Sequence, residues 1–538
     1  MVKRISATAF VFLIILVSLA ARLYYIQIIS SEYLTQSAVA QRRVSVVRQD
    51  TRGAIVDRNY YPFTSSQFCP VAVVSPSLAG ESGAVFESIS AYAQMPKEQF
   101  DTEFDLKLPF CVYLDDYPLS APLGGVAYMW GQKRYAENTV ARHVLGYCAE
   151  DENRGVAGLE LAFDDELKTS GVPDIGVIAD GKLRQIDDTG FNVAADASVM
   201  RSVRLTLDYK IQALCEQIAA RSLNRGAVVV LDTLTGDVLA MVSMPNYGQV
   251  NVAPHINSSE GELINRALCA YDAGSIFKII VAAAALESGA INLDDRYTCN
   301  GYITVGDKNI TCFNGVPHGE INFFEAFAKS CNAYFITVGE KLGEDAIKET
   351  AERFGIGTTF ELFDYSNEQK GGILKTDKFY QGDIANISIG QGDVQISQLR
   401  AAYMAAVIAN NGVMSRVNLV DSVIDGNKKQ IKNLARRGQS RVISEDTAKK
   451  IKSMMYFTTV IGTGKAANID DSGGAALKTG TAQTGWVEDG VVKVHSWTTG
   501  FFPADNPKYA VCVFAENGQN EGISAAAVFG DIAREIMK

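Results

Sequence analysis

The amino-terminal segment places the strongest constraint on the architecture of this chain. Residues 5–21 contain no charged side chain, and two basic residues precede them. Apolar character continues past Arg22, with Tyr24 and Tyr25 where aromatic side chains favour a membrane interface. The apolar region of a cleavable signal peptide is usually only about 7–15 residues long, although residues 18–20 would serve as its cleavage site. The length of the segment therefore favours an uncleaved transmembrane anchor over a signal peptide.

Arg22 beyond the apolar run partly offsets Lys3 and Arg4, so charge alone orients the segment weakly. If the short basic tail lies in the cytoplasm, everything after about residue 30 lies outside it. The 538 residues include 50 Lys and Arg against 61 Asp and Glu, a formal net charge of -11. An acidic chain repels phosphate backbones, so we expect no nucleic-acid partner. Hydrophobic residues at 47% and charged residues at 21% match globular averages, which excludes both wholesale disorder and a multi-span membrane protein.

Two pairs of apolar β-strand patterns lie far apart along the chain. Residues 227–232 and 238–244 flank one turn, and residues 496–502 and 509–514 flank another, so each pair predicts a hairpin. Helical patterns lie between the two pairs, among them the apolar segment 276–286. Strands at both ends of a domain with helices between them predict an α+β fold with a central antiparallel sheet.

The region before these hairpins has a different composition. Between about residues 40 and 200 charge is high and β-like runs are short, as at residues 71–74. A helical pattern then opens at Leu205, with Asp208 in its first turn. We therefore predict three parts: a cytoplasmic tail and anchor, a β-rich mixed pedestal domain, and an α+β domain, at residues 1–30, 31–200 and 201–538 respectively.

A serine and a lysine lie at the start of the predicted apolar helix. Ser275 and Lys278 are three positions apart, so they share one helix face. A serine hydroxyl needs a base to become a good nucleophile, and burial among apolar neighbours lowers the pKa of a lysine toward the useful range. Backbone N–H groups at a helix start can also stabilise an oxyanion. A capping serine followed by a snorkelling lysine is the alternative for an isolated Ser-x-x-Lys pattern.

Two further polar patterns follow this pair. Ser330, Cys331 and Asn332 lie between two helical patterns and place a hydroxyl and an amide at an interhelical turn. Residues 478–481, Lys-Thr-Gly-Thr, follow a β-like segment, and their lysine and hydroxyls can hold a carboxylate. Taken singly, the pattern at Ser330–Asn332 is also explained by an ordinary helix cap. The pattern at residues 478–481 is also explained by a solvated edge strand. Together and in this order, the three patterns form the signature of penicillin-recognising serine enzymes.

The chain resembles a class B penicillin-binding protein, a monofunctional peptidoglycan D,D-transpeptidase. Besides the three motifs, the resemblance covers the anchor, residues 52–58 and 158–161 in the pedestal, and residues 386–392 and 500–507. It implies a transpeptidase domain of serine β-lactamase-like fold, with a central antiparallel sheet and flanking helices, after a β-rich pedestal and one transmembrane helix. It also implies a catalytic domain outside the cytoplasm, peptidoglycan stem peptides as substrates, and acylation by penicillin and other β-lactams.

The resemblance assigns roles to individual residues. Ser275 attacks the penultimate D-Ala carbonyl of a stem peptide while Lys278 takes its proton, which gives an acyl-enzyme. Ser330 passes a proton toward the leaving amine, and Asn332 holds the peptide backbone. The third motif orders the hydroxyl network and binds the terminal carboxylate through Lys478, Thr479, Gly480 and Thr481. The backbone N–H groups of Ser275 and Thr481 surround the oxyanion.

Two features separate the chain from serine β-lactamases. Cys331 stands where those enzymes carry Asp, and an obvious equivalent of their deacylating Glu is missing from the sequence. We therefore expect a long-lived drug adduct rather than drug hydrolysis. Two alternatives to transpeptidation remain, a D,D-carboxypeptidase with water as acceptor and a scaffold that activates a glycosyltransferase. Because a glycosyltransferase module does not precede the pedestal, the resemblance implies a polytopic membrane glycosyltransferase of the shape, division or sporulation type as partner.

A possible metal site lies between the first two motifs. Cys299, Cys312 and His318 are ligand types of a structural zinc site, with Asp307 as the expected fourth ligand ahead of Asp295. Related class B chains often carry the two cysteines and the histidine, whereas glycine is common at the position of Asp307. Outside the cytoplasm, two cysteines that close a short loop also favour a disulfide, and free thiols are the third possibility. The acyl-transfer chemistry itself requires no cofactor.

Overall fold

The chain folds into two compact units. Their structure, a computed structural model, describes residues 2–31, 43–48, 52–118, 122–149, 154–168, 174–178, 191–194, 200–362, 368–373, 380–469 and 473–538. The first unit comprises Met1–Thr51, Gln67–Arg134 and Gly171–Met200. The second unit comprises Arg52–Ser66, Tyr135–Ser170 and Arg201–Lys538. Two segments that precede residue 200 therefore fold with the α+β domain.

The amino-terminal segment is helical. The α-helix Val2–Tyr24 continues as a π-helical turn over Tyr25–Ile29. Within the part of the chain that the structure describes, this is the one helix long and apolar enough to cross a membrane, over Thr8–Ile29. At 1.5 Å per residue its 22 residues span roughly 33 Å, close to the thickness of a bilayer core. The segment is therefore compatible with the predicted single-pass anchor.

The first unit contains two small antiparallel sheets. In one of them Gln67–Val74 pairs with Phe110–Tyr113 on one side and with Val126–Lys133 on the other, which confirms the β-like run at residues 71–74. Helices Ser82–Ile89 and Lys97–Asp105 share a hydrophobic core with this sheet. The other sheet consists of Arg43–Arg48, Asp174–Ile178 and Phe191–Ala194.

A buried ion pair ties an early segment into the second unit. Arg52 Nε lies 2.5 Å from Glu160 Oε2, and Arg52 Nη1 lies 2.7 Å from Asp164 Oδ1. Arg52 and Glu160 are both buried, so each charge depends on its partner. Glu160 and Asp164 belong to the short helices Gly158–Ala162 and Asp164–Lys168, and a third short helix, Arg142–Leu145, precedes them in the same unit.

A small sheet joins the same early segment to later parts of the unit. Ile55–Val56 pairs in parallel with Arg201–Leu205, which pairs with Val420–Asp425 in turn. Gln430–Asn433 completes the sheet at its far edge. Because a parallel neighbour must come from a distant part of the chain, residues before position 200 are drawn into the unit that begins at Arg201.

A five-stranded antiparallel sheet forms the centre of the second unit. Its strands are β1 (Gly226–Asp232), β2 (Val238–Met244), β3 (Ala476–Glu488), β4 (Val491–Phe502) and β5 (Tyr509–Ala515). They lie in the order β2–β1–β5–β4–β3. The pairing of β1 with β5 joins the two hairpins, which confirms both hairpins and the α+β fold. Strand β3 lies at one edge of the sheet.

Helices cover both faces of this sheet. Val228 and Val230 of β1 point into a core shared with Tyr209–Ser222 and Ala525–Ile536. Val229, between them, points into the larger core on the opposite face, as strand geometry requires. That larger core contains Gln398–Ala409 and the helices that carry the first two motifs.

Two helix starts differ from their sequence patterns. Leu205 ends a strand, and the following helix begins at Tyr209. Asp208 is its N-cap rather than part of its first turn, because the carboxylate accepts hydrogen bonds from the N–H groups of Lys210 and Ile211. The apolar helix begins as a 3-10 turn over Gly274–Phe277 and becomes α-helical over Lys278–Glu287.

The remaining elements of the second unit are short or connect the motifs. The helices are Ala253–Ile256, Phe323–Ala328, Asn332–Leu342, Glu344–Arg353, Gln381–Ser388 and Glu445–Val460. The 3-10 turns are Arg266–Leu268, Phe313–Gly315 and Lys465–Ala467. The strands are Ala270–Asp272, Arg296–Cys299, Tyr302–Val305, Lys308–Thr311, Gly319–Asn322, Gly372–Ile373, Val394–Ser397, Val413–Ser415 and Gln439–Arg441.

Candidate active site

The 3-10 turn at residues 274–277 aligns the first motif. The backbone N–H of Lys278 donates to the carbonyl of Ser275, and residues three apart eclipse each other in a 3-10 turn. Ser275 and Lys278 therefore project on the same side, as the sequence spacing predicts. Ser275 is half-buried, whereas Lys278 is fully buried. A partly exposed hydroxyl and a fully buried amine thus lie on the same side of the turn.

Lys278 links the first motif to the second. Its Nζ donates to Asn332 Oδ1 at 2.7 Å, to the Ser330 carbonyl at 2.9 Å and to Ser330 Oγ at 3.3 Å. Burial lowers the pKa of Lys278 from 10.5 to about 8. Because the neutral form of the amine is then well populated near physiological pH, Lys278 is suited to accept a proton.

The second motif forms the tight connection between helices Phe323–Ala328 and Asn332–Leu342, as the sequence predicts. Ser330 has a φ of +56°, a left-handed conformation that residues with a Cβ rarely adopt. Such conformations cost about 1–3 kcal/mol and occur where the surrounding structure imposes them. Here the Ser330 N–H donates to the carbonyl of Phe327, and Ser330 Oγ lies within reach of two lysines.

The third motif lies on the edge strand β3. Lys478 Nζ donates to Ser330 Oγ at 2.9 Å and to the carbonyl of Thr479 at 2.8 Å. Lys478 is fully buried. Burial lowers its pKa well below the usual value, and the positive charge of Lys278 lowers it further. Two buried lysines therefore converge on one hydroxyl, an arrangement in which a proton can move between the three groups.

Close backbone packing brings the third motif to the first. A Cβ on Gly274 would lie 2.6 Å from the carbonyl oxygen of Thr481. A Cβ on Gly480 would lie 3.0 Å from Ile276 Cγ2 and 3.2 Å from the Ile276 nitrogen. Only glycine fits at these two positions without displacement, so the Ser275 turn and β3 form one wall of the site.

The cysteine cluster differs from the sequence prediction in its fourth member. Ligand atoms of Cys299, Cys312, His318 and Cys331 lie within 4.8 Å of one another. The structure does not bring Asp307 to this group, because Asp307 is exposed in the turn between Tyr302–Val305 and Lys308–Thr311. The fourth member of the cluster is therefore Cys331, the middle residue of the second motif, and not Asp307 as the sequence predicts.

The runner-up for the fourth position also lies outside the group. The Asp295 carboxylate accepts a hydrogen bond from the N–H of Asn292 at 2.9 Å. Cys331 is available in its place because the turn after Phe323–Ala328 points its side chain inward, where it is fully buried. The sequence did contain a signal for it, since a third cysteine follows the Cys-Cys-His pattern closely.

The three inner cysteines are thiols at close range. The Sγ–Sγ distances are 3.7 Å for Cys299 and Cys312 and 3.8 Å for Cys312 and Cys331, and Cys299 Sγ lies 3.4 Å from His318 Nδ1. The hydrogen bond from the Cys331 thiol lowers the pKa of Cys312 to about 5. The contact with Cys331 therefore favours the thiolate form of Cys312, the form of cysteine that binds metals.

Most of the second unit matches a known protein family. The family model described as the penicillin binding protein transpeptidase domain matches residues 226–538, which contain all three motifs and the whole central sheet. The chain belongs to the penicillin-binding protein transpeptidase family. The predicted class B resemblance is confirmed, since its relatives include proteins named peptidoglycan D,D-transpeptidase and stage V sporulation protein D.

Two relatives show how far the similarity extends. Stage V sporulation protein D of Bacillus subtilis is 27% identical over an alignment of 564 residues, gaps included. The alignment covers 99% of this chain and 85% of that protein. Peptidoglycan D,D-transpeptidase PbpA of Mycolicibacterium smegmatis is 32% identical over 332 residues, which cover 58% of this chain and 65% of that protein. Similarity to the first relative thus includes the segments that precede the transpeptidase domain.

Solved structures share the fold. Penicillin-binding protein A from Mycobacterium tuberculosis superposes with a TM-score of 0.62 at 26% identity, over 75% of this chain and 93% of that one. The D,D-transpeptidase domain of a peptidoglycan glycosyltransferase from Eggerthella lenta gives a TM-score of 0.64 at 24% identity, over 90% of this chain and 98% of that one. The predicted serine penicillin-recognising fold is confirmed.

Proposed function

We propose that this protein is a peptidoglycan D,D-transpeptidase that cross-links stem peptides through an acyl-enzyme on Ser275. The observation that carries the proposal is the convergence of Lys278 and Lys478 on the Ser330 hydroxyl, beside the turn that holds Ser275. A relative named peptidoglycan D,D-transpeptidase supports it. Acyl-enzyme complexes of penicillin-binding protein A from M. tuberculosis with imipenem and with penicillin G support the same type of intermediate.

The first half-reaction is acylation. Ser275 Oγ attacks the carbonyl carbon of the penultimate D-Ala, and the neutral Lys278 amine takes the hydroxyl proton. The carbonyl oxygen becomes an oxyanion, which the backbone N–H groups of Ser275 and Thr481 stabilise. The close approach of Gly274 to Thr481 supports this position for the oxyanion hole. Collapse of the oxyanion breaks the D-Ala–D-Ala amide bond and leaves an ester on Ser275.

The leaving amine requires a proton, and the second motif can deliver it. Ser330 Oγ lies 3.3 Å from Lys278 Nζ and 2.9 Å from Lys478 Nζ. The proton held by Lys278 passes to Ser330 as the Ser330 hydroxyl proton passes to the leaving nitrogen. In the second half-reaction an amine of a neighbouring stem attacks the ester by the reverse route. The cross-link amide forms, and Ser275 recovers its proton.

The remaining motif residues hold the substrate. The Asn332 side chain is oriented at both ends, because Oδ1 accepts from Lys278 and Nδ2 donates to the carbonyl of Thr311 at 2.9 Å. An amide nitrogen has two hydrogens, so Asn332 can also donate to the stem-peptide backbone. The edge strand β3 contains Thr479, Gly480 and Thr481. Their hydroxyl and backbone groups bind the terminal carboxylate. A β-lactam carboxylate binds at the same place.

A donor–acceptor assay tests the reaction class. The full-length protein in detergent is given a stem pentapeptide and an acceptor amine, and both released D-Ala and cross-linked dimer are measured. We expect dimer in proportion to D-Ala, and neither product from Ser275→Ala. Ser288→Ala is the matched control, because Ser288 ends the same helix with its hydroxyl bonded to the carbonyl of Ala284. Release of D-Ala without dimer would identify a D,D-carboxypeptidase instead.

The anchor and the partner extend this proposal. Thr8–Ile29 has the length to hold the protein at a membrane, with the catalytic unit outside the cytoplasm where the stem peptides are. A transpeptidase needs glycan strands as substrate, so we infer a polytopic membrane glycosyltransferase as the partner that makes them. In a null mutant, Ser275→Ala should fail to restore wall synthesis. Full restoration would favour the scaffold function, in which the chain mainly activates that glycosyltransferase.

The cysteine cluster fits a structural zinc ion. Three thiols and an imidazole are a known donor set for structural zinc, with Zn–S bonds of about 2.3 Å. Sulfur ligands at tetrahedral corners are then about 3.8 Å apart, close to the 3.7 Å and 3.8 Å between Cys312 and its two cysteine neighbours. Zinc held by Cys299, Cys312, His318 and Cys331 would fix the backbone next to Ser330 and Asn332. It would take no part in acyl transfer.

Elemental analysis of the protein purified without added zinc tests the site. We expect about one zinc per chain, loss of zinc in Cys331→Ser and retention in Asp307→Asn. The second variant is the control, because Asp307 is a carboxylate of the same loop outside the cluster. A disulfide between Cys299 and Cys312 in the peptide map, or zinc loss in Asp307→Asn, would contradict the site.

A further inference from the structure

A threonine outside the three motifs lies against the third one. Thr463 follows the helix Glu445–Val460, and its hydroxyl is hydrogen-bonded to the hydroxyl of Thr479. Thr463 is exposed and Thr479 is half-buried, so this pair of hydroxyls faces the open side of the site. The contact joins a loop residue to the residue that follows the buried Lys478.

The loop that carries Thr463 is tightly held. The Thr463 N–H donates to the carbonyl of Ala328 at 3.2 Å, at the end of the helix that leads to Ser330. A Cβ on Gly462 would lie 2.0 Å from that same carbonyl oxygen, and a Cβ on Gly464 would lie 2.5 Å from Leu477 Cδ1. Glycines on both sides of Thr463 therefore allow the loop to lie directly between the second and third motifs.

The protons of the two hydroxyls decide what the pair can do. Each hydroxyl carries one proton and can accept hydrogen bonds. The bond between Thr463 and Thr479 uses one of the two protons and leaves the other to point outward. When Thr463 is the donor, the Thr479 hydroxyl keeps its own proton and can donate it toward the site. A carboxylate is the acceptor that gains most from such a donor, because hydrogen bonds to charged groups are the strong ones.

We propose that Thr463 is a further positioning residue for the substrate carboxylate, which acts by orienting the Thr479 hydroxyl. The inference rests on the proposed function, since the ligand is the terminal carboxylate of a stem peptide or the carboxylate of a β-lactam. Thr463 holds Thr479 in the rotamer that donates to this group. Without the Thr463 hydroxyl, Thr479 rotates freely and must be ordered by the ligand each time it binds.

The acylation rate constants of penicillin G and of its methyl ester test the proposal. The methyl ester lacks the negative charge of the carboxylate. Its acylation rate constant therefore measures the reactivity of Ser275 without the contribution of carboxylate binding. In Thr463→Val we expect acylation by the acid to fall about 2- to 10-fold, the range for loss of one neutral hydrogen bond, because Thr479 is still present to bind the carboxylate. Acylation by the ester should change much less, and Thr463→Ser should restore the preference for the acid.

Two controls separate this inference from others. Thr459→Val removes a hydroxyl from the end of the same helix, where it donates to the carbonyl of Tyr456, and should leave the acid-to-ester ratio unchanged. An unchanged ratio in Thr463→Val, or an equal loss for acid and ester, would overturn the positioning role. Equal acylation of Ser275→Ala would instead overturn the proposed function, so the two failures are distinguishable.

Discussion

The pH dependence of acylation follows from the burial of Lys278. Lys278 must be neutral to accept the Ser275 proton, and burial lowers its pKa from 10.5 to about 8. At pH 7.5 roughly a quarter of the enzyme then has a neutral Lys278, against about one molecule in a thousand for an unshifted lysine. Burial thus increases the reactive fraction about 200-fold near physiological pH.

The second-order rate constant of acylation by a fluorescent penicillin measures this effect. Because the neutral form is the reactive one, the rate should rise tenfold per pH unit below about pH 7 and level off above about pH 9. The midpoint of the curve should lie near pH 8. Lys452→Gln is the control, since Lys452 is another partly buried lysine but bonds to the carbonyl of Ala409, away from the motifs.

Three results would refute this reasoning. A rate constant that is flat between pH 6 and pH 9 would show that another group accepts the proton. A rate that still rises tenfold per unit near pH 10 would show that the pKa of Lys278 is not lowered by its buried position. A midpoint that moves in Lys452→Gln would show that the curve reports a general property of the fold.

Three further predictions concern close packing, a buried ion pair and proton transfer. Gly480→Ala places a methyl group against Ile276 and should slow penicillin acylation at least about tenfold, measured by labelling kinetics, since small displacements of reacting groups have large effects. Arg52→Met removes the guanidinium that balances the buried Glu160 charge and should lower the free energy of unfolding by about 3–5 kcal/mol, measured by chemical denaturation. Ser330→Ala removes the hydroxyl between the two lysines and should slow D-Ala release about 100-fold or more, measured in single turnover.

The parts of the fold that were predictable have strong local patterns. Val228 to Val230 and the neighbouring turn identify a hairpin because β-branched runs and a glycine turn have few other solutions. The catalytic motifs were predictable because their order along the chain is distinctive. Their contacts were not, since the bonds from Lys278 to Asn332 and from Lys478 to Ser330 join residues that only the folded helices and β3 bring together.

The remaining features depend on tertiary structure. Asp307 is the expected ligand because glycine is common at its position in related chains, but the hairpin around it turns its side chain to solvent. Cys331 comes from a separate helix connection and reaches the cluster only in the fold. Similarly, Ile55–Val56 joins the second unit through a parallel strand partner far along the chain, and no local pattern indicates such a partner.

The identity of the acylated residue tests the central claim most directly. The full-length protein is incubated with penicillin G, digested, and analysed by mass spectrometry for the peptide that carries the drug. We predict one penicilloyl group per chain, on Ser275, and no adduct in Ser275→Ala, with Ser288→Ala labelled like the wild type. An adduct on another residue, or equal labelling of Ser275→Ala, would contradict the assignment of Ser275 as the nucleophile.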